Sequence, residues 1–426
     1  MGLTRTIRSV LGLSLLAGGT LAGGTLAAAQ GTLSVSVVTG AMRDTMEPLA
    51  AAFEEANPGV TVNLVPEPEG GSFEALIAAG NQPDLLITSF GGQIGRLASQ
   101  DVVAPLEEFE GAEELLGRLE PSAVEELYGH TYYIPIGADV TMMIYNRDLF
   151  EAAGLDPDSP PETWEEFLDA AAAIAELPDG GNGEVYGTVF WNDVLATGGW
   201  YWNMLQPMYL NANQNECGLL NRLGTSVAFD DPECALAEFY TFNQEAQQYA
   251  PPTMEPGFFS RRIGMWPQYG YSWEPNLREA AGEPMVIGED VGIAPVPVPE
   301  AGDTSYSTYG GRGLVVMRTT PEREALAWDF IQFLMEDENN LTFIKELGYL
   351  PVLTSLKDDP YFQEPGRAPF VAALETAVLP EMTASAETVA NAVETAYQRV
   401  AVAGELSPEA GVETAVTQAN AALTAQ

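Results

Sequence analysis

Short strands and helices alternate over the first part of the chain, and this alternation limits the fold more strictly than any other sequence feature. Apolar, partly β-branched runs predict strands at 33–39, 60–65 and 84–88, and helical spacing of apolar residues predicts helices at 44–56 and 73–79. Strands that alternate with helices at this spacing form a parallel sheet covered on both faces. The chain is therefore predicted to be an α/β protein.

The loops that follow these three strands are the first candidates for a binding face. They span residues 40–44, 66–71 and 88–93. In open α/β sheets, ligands bind in the crevice beyond the carboxyl ends of the strands, so we expect these loops to face the ligand. Their candidate contact residues are Arg43, Asp44, Glu67, Ser89 and Phe90.

The pattern changes after His130, which lies in a predicted hairpin turn with an exposed side chain. Two strand-like segments follow at 132–136 and 141–145, and an amphipathic helix is predicted at 164–177. Two aromatic-rich runs come next, and the end of the chain is rich in alanine and has helical spacing. The length of 426 residues predicts two or three domain-sized units.

The charge balance excludes several classes of partner. The chain has 17 Lys and Arg against 61 Asp and Glu, a formal net charge of −44. A chain this acidic repels phosphate backbones and anionic lipids, so binding to nucleic acid or to a membrane surface is not expected. Since 46% of the residues are hydrophobic, the sequence is also unlike that of a disordered acidic chain.

The first 29 residues resemble a cleaved export signal. Arg5 and Arg8 precede an uncharged Gly/Ala/Leu stretch at 10–26, and three alanines at 27–29 form a small-residue cleavage site. The cleavage point lacks the cysteine that a lipoprotein needs, because the first cysteine is Cys217. We therefore expect a free soluble protein in the periplasm or outside the cell.

Export makes the two cysteines interpretable. Cys217 and Cys234 are the only pair in the sequence. In an oxidising compartment an isolated pair at this spacing forms a disulfide. A metal site would need further ligands, and the single histidine, His130, is far away in the sequence, so no metal is expected.

No catalytic or cofactor motif stands out in the sequence. It lacks a Gly-rich phosphate loop, an HExxH motif and a multi-histidine set, so neither a catalytic residue nor a cofactor is predicted. The 61 acids supply many carboxylate pairs of the kind that hydrolyse glycosides. An exported glycosidase or lyase is thus the alternative from another class.

Eight segments carry a family resemblance over nearly the whole chain after the signal. In chain order they are FEEANPGVTV, AAGNQPDLLI, YGHTYYIPIGADVTMMIYNRDLFEAAGL, PPETWEEFLDAAAAI, GMWPQYGYSW, GIAPVPVP, YGGRGLVV and AWDFIQFLM. Together they resemble the extracellular solute-binding proteins of ABC importers, in the maltose-binding-like, carbohydrate-associated group. No single segment identifies a particular sugar.

The resemblance implies a two-lobe periplasmic-binding-protein fold of type II. Each lobe is then an α/β unit with a mixed, mostly parallel sheet flanked by helices, and the ligand lies in the cleft between the lobes. The chain would cross between lobes near Asp139, Gly288 and Ile344. The implied division is 30–139 with 289–343 for lobe 1, and 140–288 with 344–426 for lobe 2.

The resemblance also implies a function. A monomeric receptor would capture a mono- to oligosaccharide by lobe closure and deliver it to the membrane permease of an ABC transporter, without acting as an enzyme. The same fold could instead take a polyol, a compatible solute, a glycerophosphoryl compound or a polyamine. Maltose itself is in doubt, because Gly91 and Gly92 stand where maltose binders carry charged residues.

Aromatic side chains are candidates for stacking on sugar rings, whose CH faces are apolar. Tyr271 and Trp273 match the family position of a stacking aromatic. The other aromatic candidates lie in the run at 191–215, where the resemblance implies that specificity is set: Trp191, Trp200 and Trp202.

Asp139 is the leading polar candidate. It interrupts an apolar segment, where an unpaired charge would be costly, and it matches a carboxylate of the maltose-binding relatives. Arg312 follows two glycines that let the backbone approach a ligand closely, so Gly311 and the neighbouring Tyr309 are candidates with it.

Overall fold

The computed structural model describes residues 31–67, 72–179, 183–190, 201–271, 274–280 and 282–425. The export signal and the predicted ligand contacts Trp191, Trp200 and Trp273 lie outside the described residues.

The first part of the chain has the predicted alternation of strands and helices. Its elements are β1 (Gly31–Val37), α1 (Ala41–Ala56), β2 (Val60–Pro66), α2 (Ser72–Ala78), β3 (Leu85–Ser89), α3 (Gly92–Ser99) and α4 (Ala112–Leu116). Strand β1 pairs in parallel with β2 on one side and with β3 on the other. The helix predicted at 44–56 begins earlier than expected, because Gly40 adopts a φ of 82° directly before it and turns the chain into α1.

Two long strands connect the first sheet to a second one. They are β4 (Ile134–Asn146) and β8 (Ser307–Val316), and the two segments predicted as separate strands at 132–136 and 141–145 belong to the continuous β4. The first half of β4 pairs with β8, which pairs with β3. The second half pairs with β6 (Ile263–Gly270) and β7 (Val291–Ala294). The strand order is β2-β1-β3-β8-β4-β6-β5, with β5 at Tyr186–Thr188.

The remaining elements surround these sheets. The further helices are α5 (Arg147–Ala152), α6 (Trp164–Ala175), α7 (Gln206–Ala212), α8 (Leu236–Ala246), α9 (Glu274–Arg278), α10 (Pro321–Leu334), α11 (Asp337–Leu347), α12 (Ala368–Ala373), α13 (Ala386–Tyr397) and α14 (Pro408–Ala425). Strand β9 (Ala377–Val378) pairs with the start of β8. Short 3₁₀ turns lie at Leu106–Glu108, Pro121–Ala123, Pro232–Cys234, Gln247–Tyr249, Phe258–Ser260, Thr354–Leu356 and Leu374–Thr376, and π-helical turns at Tyr201–Leu205 and Gln398–Val402.

The pairing of the strands leads us to propose a division that differs from the sequence-based one. Strand β7 follows Gly288 in the sequence but pairs with the second half of β4, so it belongs to the second sheet. We therefore propose that the chain crosses between the lobes within β8 and not near Gly288. Residues 353 and 354 still contact the first lobe, since Thr354 N donates to Arg118 O at 3.0 Å, whereas Arg367 donates to Tyr271 of the second. We therefore place the third crossing between these contacts, which gives 31–139 with 310–357 and 140–309 with 358–425.

His130 lies where the sequence places it. Its backbone bonds with that of Leu127 close a tight hairpin, and its side chain is exposed. It contacts the carboxylate of Glu107 at 3.6 Å. The prediction of an exposed turn histidine is confirmed.

The paired cysteines close a loop in the second lobe. The Cα atoms of Cys217 and Cys234 lie 5.4 Å apart, a separation that suits a disulfide. We expect thiol titration of the native exported protein to detect no free thiol until a reductant is added. Two reactive thiols in the unreduced protein would contradict the pairing. A bridge over this loop is expected to stabilise the fold by about 3 kcal/mol.

A carboxylic acid lies fully buried in the core of the second lobe. Glu394 on α13 is 0% exposed. Burial raises its pKa to about 7, and a hydrogen bond with the backbone of Tyr201 lowers the pKa and so offsets part of this rise. The folded protein thus holds this proton more tightly than the unfolded chain, where the pKa is 4.5. Stability is therefore expected to fall as the pH rises from about 4.5 to about 7.

Glu394→Gln is expected to remove this part of the pH dependence and to raise the free energy of unfolding at pH 8 by on the order of 3 kcal/mol. Urea unfolding between pH 5 and 8 measures it. Some slope should remain, because burial also raises the pKa of Glu381 to about 7. Glu245→Gln, on the exposed face of α8, is the control. Equal effects of the two substitutions would show that Glu394 is not responsible.

Among the described residues, no helix is long and apolar enough to span a membrane.

Candidate functional site

A cleft of about 460 Å³ lies where β4 and β8 pass between the two sheets. Both lobes and both crossing strands contribute to it. Its lining consists of Glu67, Thr88, Ser89, Phe90, Gly91, Gln93, Asp139, Val140, Thr141, Trp202, Met204, Gln268, Gly270, Thr308, Gly310, Gly311, Arg312, Tyr349, Pro380 and Glu387. The volume lies within the range of about 300–1,000 Å³ that is typical of small-molecule sites.

Several residues singled out from the sequence meet in this cleft. The second and third strand-end loops contribute Glu67, Ser89 and Phe90, as their position after parallel strands predicts. The crossing strands and the second lobe contribute Asp139, Gly311, Arg312 and Trp202. The structure thus brings together residues that are up to 245 positions apart, from Glu67 to Arg312.

Two predicted aromatic contacts are not among the residues that line the cleft. Tyr271 is 1% exposed, its ring packs 5.0 Å from that of Phe370, and its hydroxyl accepts a hydrogen bond from Arg367. Tyr309 is 0% exposed and lies on β8 between two lining residues, Thr308 and Gly310. Tyr309 itself is not among the lining residues, and its ring lies 6.1 Å from that of Phe90.

Arg43 and Asp44 also lie outside the lining. The loop that was expected to carry them is the first turn of α1. There the guanidinium of Arg43 donates to Leu64 O at 3.0 Å and contacts Glu47 at 3.1 Å. These two residues, Tyr271 and Tyr309 are therefore left out of the site proposed below.

The lining also contains residues that the sequence analysis did not select. Strand alternation offers a signal for two of them: Thr141 lies two residues after Asp139, and Thr308 lies four residues before Arg312. Tyr349, Pro380 and Glu387 carry no such signal, because only tertiary packing brings them to the cleft.

Asp139 lies half-buried at the point where β4 passes between the sheets. Its Oδ1 accepts a hydrogen bond from Val140 N at 2.9 Å, which fixes the carboxylate. On the neighbouring strand β6, a Cβ at Gly270 would lie 3.0 Å from Asp139 Oδ2. The missing side chain therefore leaves room beside the carboxylate for the strand to approach.

Arg312 supplies the positive charge within the lining and interacts electrostatically with Glu67. Burial raises the pKa of Glu67, and the charge of Arg312 acts in the opposite direction. The Arg312 Nε donates to the hydroxyl of Tyr349 at 3.4 Å. With Glu67, Asp139 and Glu387 ionised, the lining carries two more negative than positive charges.

Neutral polar groups in the lining are held in fixed orientations. The Thr88 hydroxyl donates to Gln93 Oε1 at 2.8 Å, and Gln268 Nε2 donates to Met204 O at 2.7 Å. The Thr308 hydroxyl donates to Gln206 Oε1 at 3.2 Å. With its Oε1 engaged, Gln93 keeps its two N–H donors for another partner.

Trp202 supplies the large aromatic surface of the cleft. Its side chain is 5% exposed, and its ring meets that of Tyr201 edge-on with 4.9 Å between the ring centres. Among the described residues, no hydrogen-bond partner is found for Trp202 Nε1. Because the Nε1 atom is itself buried, the indole can donate to a sugar hydroxyl and stack on a sugar ring only when the lobes open to admit the sugar.

The described part of the chain shows no sign of a metal site. It contains no group of three His, Cys, Asp or Glu residues arranged to hold a metal ion. His130 lies in its exposed hairpin and not in the cleft lining.

The family of the chain is established by its match to a family model. The model of the bacterial extracellular solute-binding proteins matches residues 39–341, which is well over half of the chain. The protein therefore belongs to the bacterial extracellular solute-binding protein family. This agrees with the resemblance seen in the sequence.

Three relatives are similar to this chain, and two of them are named for a ligand. A Brucella abortus chain with only the general designation of a binding protein is 28% identical over 397 residues, covering 88% of this chain and 89% of the relative. A maltotriose-binding protein of Pyrococcus abyssi is 25% identical, covering 73% and 64%. An sn-glycerol-3-phosphate-binding periplasmic protein of Salmonella typhimurium is 25% identical, covering 74% and 73%.

Solved structures confirm the two-lobe fold. The cyclic α-maltosyl-1,6-maltose binding protein of Arthrobacter globiformis superposes with a TM-score of 0.78 at 22% identity, covering 93% of this chain and 100% of that one. A solute-binding protein of Agrobacterium radiobacter in complex with ribitol gives a TM-score of 0.71 at 22% identity, covering 92% and 99%. The predicted type II binding-protein fold is thus confirmed.

Proposed function

We propose that this protein is the receptor of an ABC importer, and that it captures a mono- to oligosaccharide between its lobes outside the inner membrane. The single observation that carries the proposal is the cleft at the crossing of β4 and β8. Polar groups from both lobes and one indole line it, and a ligand that touches both lobes favours their closure.

The polar groups of the cleft match the hydroxyls of a sugar. Carboxylates accept hydrogen bonds from hydroxyls, and guanidinium and amide N–H groups donate to them. We assign acceptor roles to Asp139 and Glu67 and donor roles to Arg312 and Gln93, and we assign stacking on a sugar ring to Trp202. Each of these roles is part of the proposal.

The charge of the cleft argues against an anionic ligand. Three carboxylates and one guanidinium line it, so a phosphate or carboxylate ligand would meet a net negative field. The Salmonella relative binds sn-glycerol-3-phosphate. For this chain we propose a neutral ligand, and we place glycerophosphoryl compounds behind sugars and polyols.

Delivery to a permease and export are further parts of the proposal. Family membership supports an extracellular location, and the resemblance of residues 1–29 to a cleaved export signal supports release of the mature protein. We propose that the mature protein is a monomer that presents the closed lobes to a membrane permease, and that it does not convert its ligand.

A thermal-shift screen of the mature protein tests the proposal. The panel contains maltose, maltotriose, a mannooligosaccharide, ribitol, glycerol 3-phosphate and spermidine. A ligand at about 100 times its Kd adds about 2.7 kcal/mol, which raises the midpoint of unfolding by several degrees. Each compound is also recovered after overnight incubation and checked for conversion.

The proposal expects a shift from one neutral sugar class, with the sugar recovered intact. A shift from ribitol alone would favour the polyol alternative, and one from glycerol 3-phosphate or spermidine would overturn the assignment of a neutral ligand. Conversion of a sugar would identify an enzyme and overturn the receptor assignment.

A further inference from the structure

One face of α3 lies directly against the second lobe. A Cβ at Gly92 would be 3.2 Å from Glu387 N and 3.3 Å from Thr383 O. A Cβ at Gly95 would overlap the carbonyl group of Met382. The backbones therefore meet at a distance that only glycine permits at position 95.

A charged contact crosses between the lobes at the same place. Arg96 Nη1 lies 3.3 Å from Glu387 Oε2, and Arg96 Nη2 lies 3.4 Å from Glu74 Oε1. Nearby, the Tyr128 hydroxyl accepts a hydrogen bond from Ala384 N at 3.1 Å. Residues 382–387 of the second lobe thus contact two separate parts of the first.

A buried carboxylate holds these second-lobe residues in place. Glu381 accepts hydrogen bonds from the backbone N–H groups of Leu219 and Leu220, which follow Cys217. A Cβ at Gly224, in the same loop, would lie 2.8 Å from Thr383. The loop between the two cysteines therefore supports residues 382–387 from behind.

We infer that Gly92, Gly95 and Arg96 form a closure seam with Met382, Thr383 and Glu387, and that Gly95 is a positioning residue for the lobes. Glu387 also lines the cleft, and the neighbouring Gly91 lies beside Trp202, since a Cβ there would be 3.8 Å from its indole nitrogen. The seam borders the cleft, so its formation sets the affinity for a ligand bound there without contact between Gly95 and that ligand. This effect on affinity rests on the proposed function, but the contact itself does not.

A disulfide trap tests the seam without any ligand. In the variant Gly92→Cys with Glu387→Cys, the new thiols are close enough to bond only when the lobes meet as in the structure, because a Cβ at Gly92 would lie 3.3 Å from Glu387 Cγ. The purified full-length mature protein is treated with a mild oxidant, and the cross-link is quantified over time by mass spectrometry of unreduced digests.

Gly95→Ala in this double-cysteine protein is expected to slow cross-linking about tenfold or more, because a methyl group at the seam overpacks the contact. The control is Gly117→Ala, in the same lobe, where φ is −67° and the nearest contact is with the preceding turn. Circular dichroism and thermal melting should show both variants folded, since alanine suits a helix better than glycine does.

Rapid cross-linking that Gly95→Ala slows and Gly117→Ala does not would support the seam. Absence of the cross-link in the parent double-cysteine protein would overturn it, whatever the folding of the alanine variant. Equal rates with and without Gly95→Ala would also overturn it. A failure of every sugar to bind would leave these outcomes unchanged and would count against the proposed function alone.

Discussion

Replacement of Asp139 by alanine is expected to weaken sugar binding about 10- to 100-fold, because a hydrogen bond to a charged group contributes about 1.5–3 kcal/mol. Asp139 lies at the crossing of β4, where Val140 N fixes its carboxylate. Asp139→Asn keeps the shape but removes the charge, so it should lose less affinity than alanine. Isothermal titration with the sugar identified in the screen measures both.

The matched control for this prediction is Asp358→Ala, which removes an exposed aspartate that does not line the cleft. Its affinity should equal that of the unmodified protein. If Asp139→Ala binds as tightly as Asp358→Ala, the role assigned to Asp139 is incorrect and the ligand lies elsewhere. If Asp139→Ala lowers the thermal midpoint of the ligand-free protein, the titrations are run at a temperature below the melting range of the variant. The protein is then folded throughout, and only the change in affinity is measured.

Trp202→Ala is expected to reduce affinity by about 30-fold or more, since buried aromatic anchors contribute about 2 kcal/mol or more to binding. The indole supplies the large aromatic surface of the cleft, and Trp202→Phe keeps a ring that can stack but loses the N–H donor. The phenylalanine variant should therefore have an intermediate affinity. Titration calorimetry at one temperature compares the three proteins.

Trp328→Phe provides the comparison for a tryptophan outside the cleft. Trp328 is 4% exposed, stacks on Phe109 and donates from Nε1 to Glu110 O. Its replacement should lower the thermal midpoint and leave the affinity of the folded protein unchanged. Affinity losses of the same size in Trp202→Phe and Trp328→Phe would show that stability, and not a ligand contact, explains the effect at Trp202.

The local pattern of the sequence correctly predicts the strands of the first lobe. It also predicts that the loops after two of these strands, β2 and β3, lie at the cleft. Glu67, Ser89 and Phe90 follow parallel strands, and the carboxyl ends of such strands meet at one edge of a sheet. Arg43 does not line the cleft, although it also follows a parallel strand. Gly40 adopts a positive φ and α1 begins directly after it, so Arg43 lies in the helix and not in a loop.

Strand direction explains a second group of outcomes. Thr141 lies two residues after the selected Asp139 and Thr308 lies four before the selected Arg312, so strand alternation favours both, although the cleft also receives the consecutive residues 139–141 and 310–312. Which residues of a strand face the cleft depends on where the strand begins and on which face of the sheet is covered. Amino-acid composition alone determines neither of these.

Long-range packing accounts for the residues that no local pattern indicates. Tyr349, Pro380 and Glu387 line the cleft although they lie 37 or more residues after Arg312 in the sequence, and in the proposed division the chain crosses between lobes once more among them. The seam between α3 and residues 382–387 has the same origin. Its glycines are recognisable only after the two lobes are placed together.

Small-angle X-ray scattering of the mature protein, with and without the sugar that gives the largest thermal shift, tests the central claim most directly. A compact chain of this length has a radius of gyration of about 21 Å. Capture between the lobes predicts that the radius falls towards this value when the sugar is added, and that Asp139→Ala reduces the response at equal sugar concentration. A sugar that binds tightly while the scattering stays unchanged would contradict capture by lobe closure.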